Sequence, residues 1–84
     1  MAYGRLDVFW PDGLFKTYVL SDATVSIGRS SGNTIALESD TLSRYHDSIT
    51  YKDGEVRLTD LGSANGTFVD GVRLAANQPH TLYG

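Results

Sequence analysis

Three polar segments of the sequence carry side chains that could together hold an anion. Loop one (residues 28–33), loop two (38–45) and loop three (61–66) are rich in Gly, Ser and Asn and lack the alternation of the segments around them. In loop one, Arg29 offers a planar, permanently charged guanidinium whose donors can meet two oxygens of one phosphate. Binding groups are usually carried on loops that a rigid scaffold holds in place, so we expect a binding site here.

The rest of the chain must supply the scaffold, and its pattern is that of β-strands. Runs rich in Val, Ile, Thr, Phe and Tyr alternate with polar residues, whereas helical periodicity is hard to find. Leu6, Val8 and Trp10 share one face of a first strand, and a turn at 11–13 leads into a second strand at 15–20. Further strands are predicted at 24–27, 34–37, 48–51, 56–59, 67–69 and 72–74, with hairpin turns at Asp53-Gly54 and Asp70-Gly71. Short strands with regular turns predict an all-β, antiparallel sandwich.

Length and charge limit the function. Eighty-four residues suffice for one domain only, so we expect a single domain over residues 1–84. Seven Lys plus Arg against ten Asp plus Glu give a net charge of −3, which argues against nucleic-acid binding through many phosphate contacts. The chain has no cysteine, and its two histidines, His46 and His80, lie far apart, so no disulfide, metal or cofactor is expected. No stretch is apolar enough for a signal peptide or a membrane span, so we expect a cytoplasmic protein without membrane contact.

Three short motifs follow one another through the loops. They are Gly28-Arg29 after the strand predicted at 24–27, Ser43-x-x-His46 at the end of loop two, and Asn65-Gly66 at the end of loop three. Each motif alone is weak, but the ordered set, over about residues 25–74, resembles a forkhead-associated (FHA) domain. The resemblance implies a β-sandwich that recognises phosphothreonine in a partner protein, as part of signalling or regulation.

The resemblance also implies a role for each polar residue of the motifs. Arg29 is expected to anchor the phosphate, with donors from the Ser43 hydroxyl and the Arg44 main chain completing its cradle. The Arg44 side chain could reach the peptide or simply lie in solvent. The amide of Asn65 offers donors and an acceptor, which suits bonding to the main chain of the bound peptide. Arg29, Ser43, Arg44 and Asn65 are therefore the predicted phosphopeptide-binding residues.

Three further motif residues are expected to support the site without touching the ligand. By resemblance, His46 is internal and holds the loops by hydrogen bonds, Gly28 permits close packing at the strand end, and Gly66 serves the turn after Asn65. Ala64 departs from the Thr or Ser that often precedes the Asn-Gly pair in the family, and alanine has no hydroxyl to make the corresponding secondary contact with the ligand.

The sequence ends before a feature that the family normally has. FHA domains close with a last hairpin that pairs with the first strand, whereas this chain stops at Gly84. We therefore expect a C-terminally truncated domain whose first strand has an open edge. Such an edge invites pairing with a second copy, so a homodimer is possible.

Other interpretations remain open at this stage. Arg29 could be an ordinary solvated charge, and Ser43 or the Asn65-Gly66 pair could only shape a turn. The whole chain could be an interaction or dimerisation domain of the same fold that does not depend on phosphate. Ser43, His46 and Asp47 could be imagined as a hydrolase triad, but residues so close on one loop rarely align for catalysis, so we do not expect an enzyme.

Overall fold

The structure, a computed structural model, describes residues 1–84 and consists of strands, turns and loops without a helix. The strands are β1 (Gly4–Phe9), β2 (Phe15–Leu20), β3 (Thr24–Gly28), β4 (Ile35–Ala36), β5 (Asp47–Lys52), β6 (Glu55–Asp60), β7 (Phe68–Val69), β8 (Val72–Arg73) and β9 (His80–Tyr83). This confirms the all-β prediction. No helix is present that is long and apolar enough to cross a membrane.

The strands form one large sheet and two hairpins. The five-stranded sheet has the order β4-β3-β5-β6-β9, and β1-β2 and β7-β8 are separate two-stranded sheets. All pairs are antiparallel except β3 with β4, which run parallel over Ile27–Gly28 and Ile35–Ala36. This short parallel pair holds the start and the end of loop one together.

The alternation of side chains explains where the core lies. In β3, Val25 and Ile27 are buried while Thr24 and Ser26 are not, so one face of the sheet is apolar. The buried hydrophobic residues are Leu20, Val25, Ile27, Ile35, Leu37, Ile49 and Val56. Leu6 and Val8 of β1 and Tyr18 of β2 pack against this cluster. The first hairpin therefore covers the large sheet as the second layer of a β-sandwich.

Several strand ends differ by one residue from the sequence predictions, and the largest differences concern β4 and β9. The strand predicted at 34–37 is shorter, because only Ile35 and Ala36 pair with β3. Strand β9 was not predicted from the sequence; it pairs with β6 across a register shift between Val56 and Arg57. All four residues of β9 are exposed, so it lies at an edge and carries no alternating apolar signal.

The register of the large sheet brings the three loops to one end. Ile27 at the end of β3 lies opposite Asp47 at the start of β5, and Asp47 lies opposite Asp60 at the end of β6. Loop one follows β3, loop two precedes β5 and loop three follows β6. All three loops therefore leave the sheet side by side.

Candidate functional site

Loop one runs alongside the end of loop two, and this contact orients Arg29. The Arg29 amide donates to the carbonyl of Ser43 and the Ser30 amide to that of Arg44, both at 3.1 Å. The Arg29 side chain is exposed, and its Nε donates to the Leu42 carbonyl at 3.2 Å. The two terminal nitrogens have no partner in the protein, and no carboxylate lies within 4.0 Å of them. The guanidinium is thus held beside Ser43 with most of its donors unused.

Ser43 joins loop two to loop three. Its Oγ accepts a hydrogen bond from the Ala64 amide at 3.0 Å, which leaves the hydroxyl proton available to a ligand. The amide of the next residue, Arg44, donates to no acceptor in the protein, and the Arg44 side chain is exposed and unpaired. Ala64 therefore contributes its main chain to this contact, although it lacks the hydroxyl that the family often has here.

Asn65 lies on the same surface and also contacts loop two. Its Nδ2 donates to the Thr41 carbonyl at 2.7 Å across 24 residues of sequence. The side chain is exposed, and its Oδ1 has no partner in the protein. One donor hydrogen of the amide and its acceptor therefore remain for a ligand.

His46 lies beneath these residues and is only 4% exposed. Its Nδ1 accepts from the Ser43 amide at 3.1 Å, so its Nε2 carries the proton that is donated to the Gly66 carbonyl at 2.9 Å. The ring thus ties loop two to loop three. Carboxylate oxygens of Asp47 and Asp60 lie within 4.8 Å of a ring nitrogen of His46, a grouping that could in principle hold a metal ion. Both ring nitrogens of His46 are hydrogen-bonded to the backbone, however, which leaves neither of them to bind a metal.

Gly28 is in close contact with loop two. A Cβ at this position would lie 2.2 Å from the Arg44 carbonyl oxygen and 2.9 Å from Nδ2 of Asn33. No side chain fits there without a shift of the backbone. Gly66 is restricted for a different reason, because its φ of +85° lies in the left-handed region.

Asn33 is a buried residue of the site that the sequence analysis missed. Its Nδ2 donates to the Ser30 carbonyl at 2.8 Å and to the Arg44 carbonyl at 2.7 Å. It thereby connects loop one to the residue whose free amide faces the site. Nothing in the local sequence distinguishes this asparagine from one that shapes a turn.

A second missed group is the carboxylate of Asp60, which organises loop three. Its Oδ2 accepts from the amides of Gly62 and Ser63, both at 3.1 Å. Its Oδ1 accepts from the hydroxyls of Ser63 and Thr67. Burial raises the pKa of Asp60, but these hydrogen bonds outweigh burial, and the pKa lies below its ordinary 3.8.

The neighbouring Asp47 has the opposite shift. Burial raises its pKa, and two effects offset this only in part: the Thr67 hydroxyl, whose single proton is shared between Asp47 and Asp60, and the nearby His46. The negative charge of Asp60 raises the pKa of Asp47 further. Asp60 is therefore the carboxylate that stabilises the fold in its charged form.

We expect Asp60→Asn to lower the free energy of unfolding by about 2 kcal/mol at pH 7, since hydrogen bonds to a buried charge are lost. Because the pKa of Asp60 is lowered by folding, this stabilisation is present above pH 3.8 and disappears as the pH falls through the folded value. Urea denaturation of both proteins between pH 3 and pH 7 measures the difference. Asp53→Asn, in an exposed turn, is the control. A difference that stays constant with pH would contradict the assignment.

Comparison with known proteins agrees with this geometry. The family model of the FHA domain matches residues 25–83. The glycogen accumulation regulator GarA of Mycolicibacterium smegmatis is 38% identical over 53 residues, which are 63% of this chain and 34% of GarA. The oxoglutarate dehydrogenase inhibitor of Corynebacterium glutamicum is 36% identical over 53 residues, 63% of this chain and 37% of that protein. The chain spans about a third of the length of these curated relatives.

Solved structures show the same fold. Mycobacterium tuberculosis EmbR, in complex with a low affinity phosphopeptide, superposes with a TM-score of 0.74 at 34% identity, over 81% of this chain and 17% of EmbR. The FHA domain of a Chlamydia trachomatis protein superposes with a TM-score of 0.80 at 28% identity, over 93% of this chain and 78% of that chain. With a family match across most of its length and this shared sandwich, the chain belongs to the FHA-domain family.

Proposed function

We propose that this domain binds phosphothreonine in a partner protein and so takes part in signalling or regulation. The observation that carries the proposal is the group of unused donors at the loop end of the sheet. The Arg29 guanidinium is tied to the Leu42 carbonyl by Nε alone, beside the Ser43 hydroxyl and the unpaired Arg44 amide. Guanidinium, hydroxyl and amide donors on one surface match the three oxygens of a phosphate ester.

Electrostatics support a phosphate at this position. A phosphothreonine carries about −1.5 to −2 charges at neutral pH, and Arg29 has no carboxylate of its own to pair with. Because the chain as a whole has a net charge of −3, attraction for an anion must come from such local groups. The complex of the related EmbR with a phosphopeptide supports the same class of ligand.

Asn65 would hold the peptide on either side of the phosphoresidue. Its Oδ1 and its second amide hydrogen are free, while the bond from Nδ2 to Thr41 fixes the direction of the side chain. An amide offers both a donor and an acceptor to an extended main chain. In this proposal Gly28, His46 and Gly66 shape the loops and do not contact the ligand.

The proposal is tested by calorimetric titration with three peptides of one sequence that carry phosphothreonine, phosphoserine or unmodified threonine. We expect clear binding of the first, none of the third, and binding of the phosphoserine peptide weakened about fourfold, the equivalent of one buried methyl group at about 0.8 kcal/mol. Equal affinity for all three peptides would refute phosphate recognition.

The contacts of Ser43 support binding rather than hydrolysis. Its hydroxyl makes no hydrogen bond with the His46 ring, which instead receives the Ser43 amide proton. A nucleophile and its base would be hydrogen-bonded to each other. We continue to predict a non-enzymatic domain without a cofactor. We also predict that it is located in the cytoplasm and binds neither nucleic acid nor membrane.

A second candidate function is dimerisation that does not depend on phosphate. It is favoured by one observation, that β1 has β2 on one side and no strand on the other. Sedimentation velocity at several protein concentrations, with and without the phosphothreonine peptide, separates this function from peptide binding.

A further inference from the structure

A second guanidinium lies beside the predicted peptide-binding residues. Arg73 in β8 reaches back along the hairpin to Gly66, the residue after Asn65. Its Nε and Cζ lie 2.6 Å and 2.9 Å from the place where a Cβ of residue 66 would stand. The absence of a side chain at Gly66 therefore lets the guanidinium rest against the backbone of loop three.

The five arginines of the chain fall into two groups, those that pair with a carboxylate and those that do not. Arg5 pairs with Asp7 at 3.2 Å and Arg57 with Glu55 at 3.0 Å, both on strands away from the loops. The remaining three, Arg29, Arg44 and Arg73, have no carboxylate within 4.0 Å. In a chain with more acidic than basic residues, the unpaired arginines are therefore those in or against the three loops.

The Arg73 side chain makes no hydrogen bond within the protein, so packing alone positions the guanidinium. A guanidinium that rests on a glycine keeps all its donors available, in a planar arrangement that fits a carboxylate bidentately. Its side chain is exposed, so a peptide held by the neighbouring Asn65 has access to it.

We propose that Arg73 is a specificity-determining residue that binds the carboxylate of an Asp or Glu flanking the phosphothreonine. This inference rests on the proposed function, because it needs a phosphopeptide on the loops. Arg73 is separated from the phosphate donors by Asn65 and Gly66, since Ser43 contacts loop three at Ala64. An extended peptide advances about 3.3 Å per residue, so the acidic residue lies within a few positions of the phosphothreonine.

The test is a titration of phosphothreonine peptides with alanine at all flanking positions, compared with a series that carries a single Glu at each flanking position in turn. For the unmodified protein, we expect one Glu position to improve affinity about fivefold, as for a largely exposed ion pair. In Arg73→Gln this preference should disappear, while affinity for the all-alanine peptide stays within about twofold. Arg73→Lys should retain part of it, because the charge remains but the bidentate geometry is lost.

Arg57→Gln is the matched control, since that arginine already pairs with Glu55 and lies away from the loops. It should leave the Glu preference unchanged. If the unmodified protein binds phosphopeptides without preferring Glu, or if Arg73→Gln keeps the preference, the Arg73 proposal fails and the proposed function stands. Loss of the all-alanine peptide in a folded Arg73→Gln variant would assign Arg73 to the phosphate and also overturn the proposal. If phosphorylation of the peptide does not change its affinity for the protein without substitutions, the proposed function fails, and the Arg73 proposal fails with it.

Discussion

Arg29→Ala should abolish measurable binding of a phosphothreonine peptide while leaving the domain folded. In the proposed complex this guanidinium is the principal cation for the phosphate, so its removal leaves a doubly charged group without its partner. Loss of one partner of a desolvated charge pair costs about 2–5 kcal/mol, a decrease in affinity of about 30-fold to several thousand-fold. A complex of micromolar affinity would then have a Kd of about 30 μM to several mM, and in the upper part of this range binding is too weak to measure.

The fold should tolerate this change, because the Arg29 side chain is exposed and makes one hydrogen bond, to the Leu42 carbonyl. That carbonyl is in a surface loop, where water can replace the lost donor. We expect the thermal midpoint to fall by no more than a few degrees, as for a surface substitution. Binding is measured by fluorescence anisotropy of a labelled peptide, and folding by circular dichroism.

Two further variants, Arg29→Lys and Arg5→Ala, test the role of guanidinium geometry and serve as a control, respectively. Lysine keeps the charge but cannot donate in the bidentate geometry, so Arg29→Lys should bind more weakly than the unmodified protein and better than Arg29→Ala. Arg5→Ala removes an arginine that pairs with Asp7 in β1, and it should bind as the unmodified protein does. If a folded Arg29→Ala variant keeps its affinity, the anchor lies elsewhere and Arg44 becomes the next candidate.

The sandwich could be predicted from the sequence because alternation is a local property. Val25 and Ile27 share a face of β3 because side chains two residues apart in a strand point the same way. The turn at Asp53-Gly54 joins β5 to β6 at the predicted position, because the residue types of a tight turn are also a local signal. The edge strand β9 has no such property, because all its residues are exposed and only its pairing with β6 defines it.

The motifs indicated which loops carry the candidate site, but not the contacts that hold these loops together. Ser43 meets Ala64 across 21 residues, and Asn65 meets Thr41 across 24. Such pairs depend on the sheet register, which aligns the ends of three strands. Asn33 and Asp60 act through the same long-range geometry, and neither has a sequence signal beyond a polar residue near a strand end.

Among substitutions that add a single methyl group to loops one, two or three, Gly28→Ala should lower the stability of the domain most. The new Cβ would stand 2.2 Å from the carbonyl oxygen of Arg44 and 2.8 Å from its carbonyl carbon. Both are backbone atoms, so no side-chain rotation relieves the overlap, and loop two must move away from β3. This movement breaks the hydrogen bonds that Ser30 and Asn33 donate to Arg44.

We expect the free energy of unfolding to fall by about 3 kcal/mol or more, the combined cost of overpacking and of buried polar groups that lose their partners. A domain of this size has only about 5–10 kcal/mol of stability, so the thermal midpoint should drop by more than about 10 °C. Because the free amide of Arg44 belongs to the displaced segment, affinity for the phosphopeptide should decrease even at temperatures where the variant is still folded.

Gly54→Ala is the matched control for this prediction. No heavy atom lies within 4 Å of a Cβ at that position, and its φ of +77° makes the substitution strained for the backbone alone. That strain costs about 1 kcal/mol and leaves peptide affinity unchanged, since the turn joins β5 to β6 at the opposite end of these strands from loops two and three. Equal losses of stability in the two variants would show that loop two can move away from the new methyl group at little cost in free energy. The tight contact between β3 and Arg44 would then not be what fixes the position of the phosphate donors.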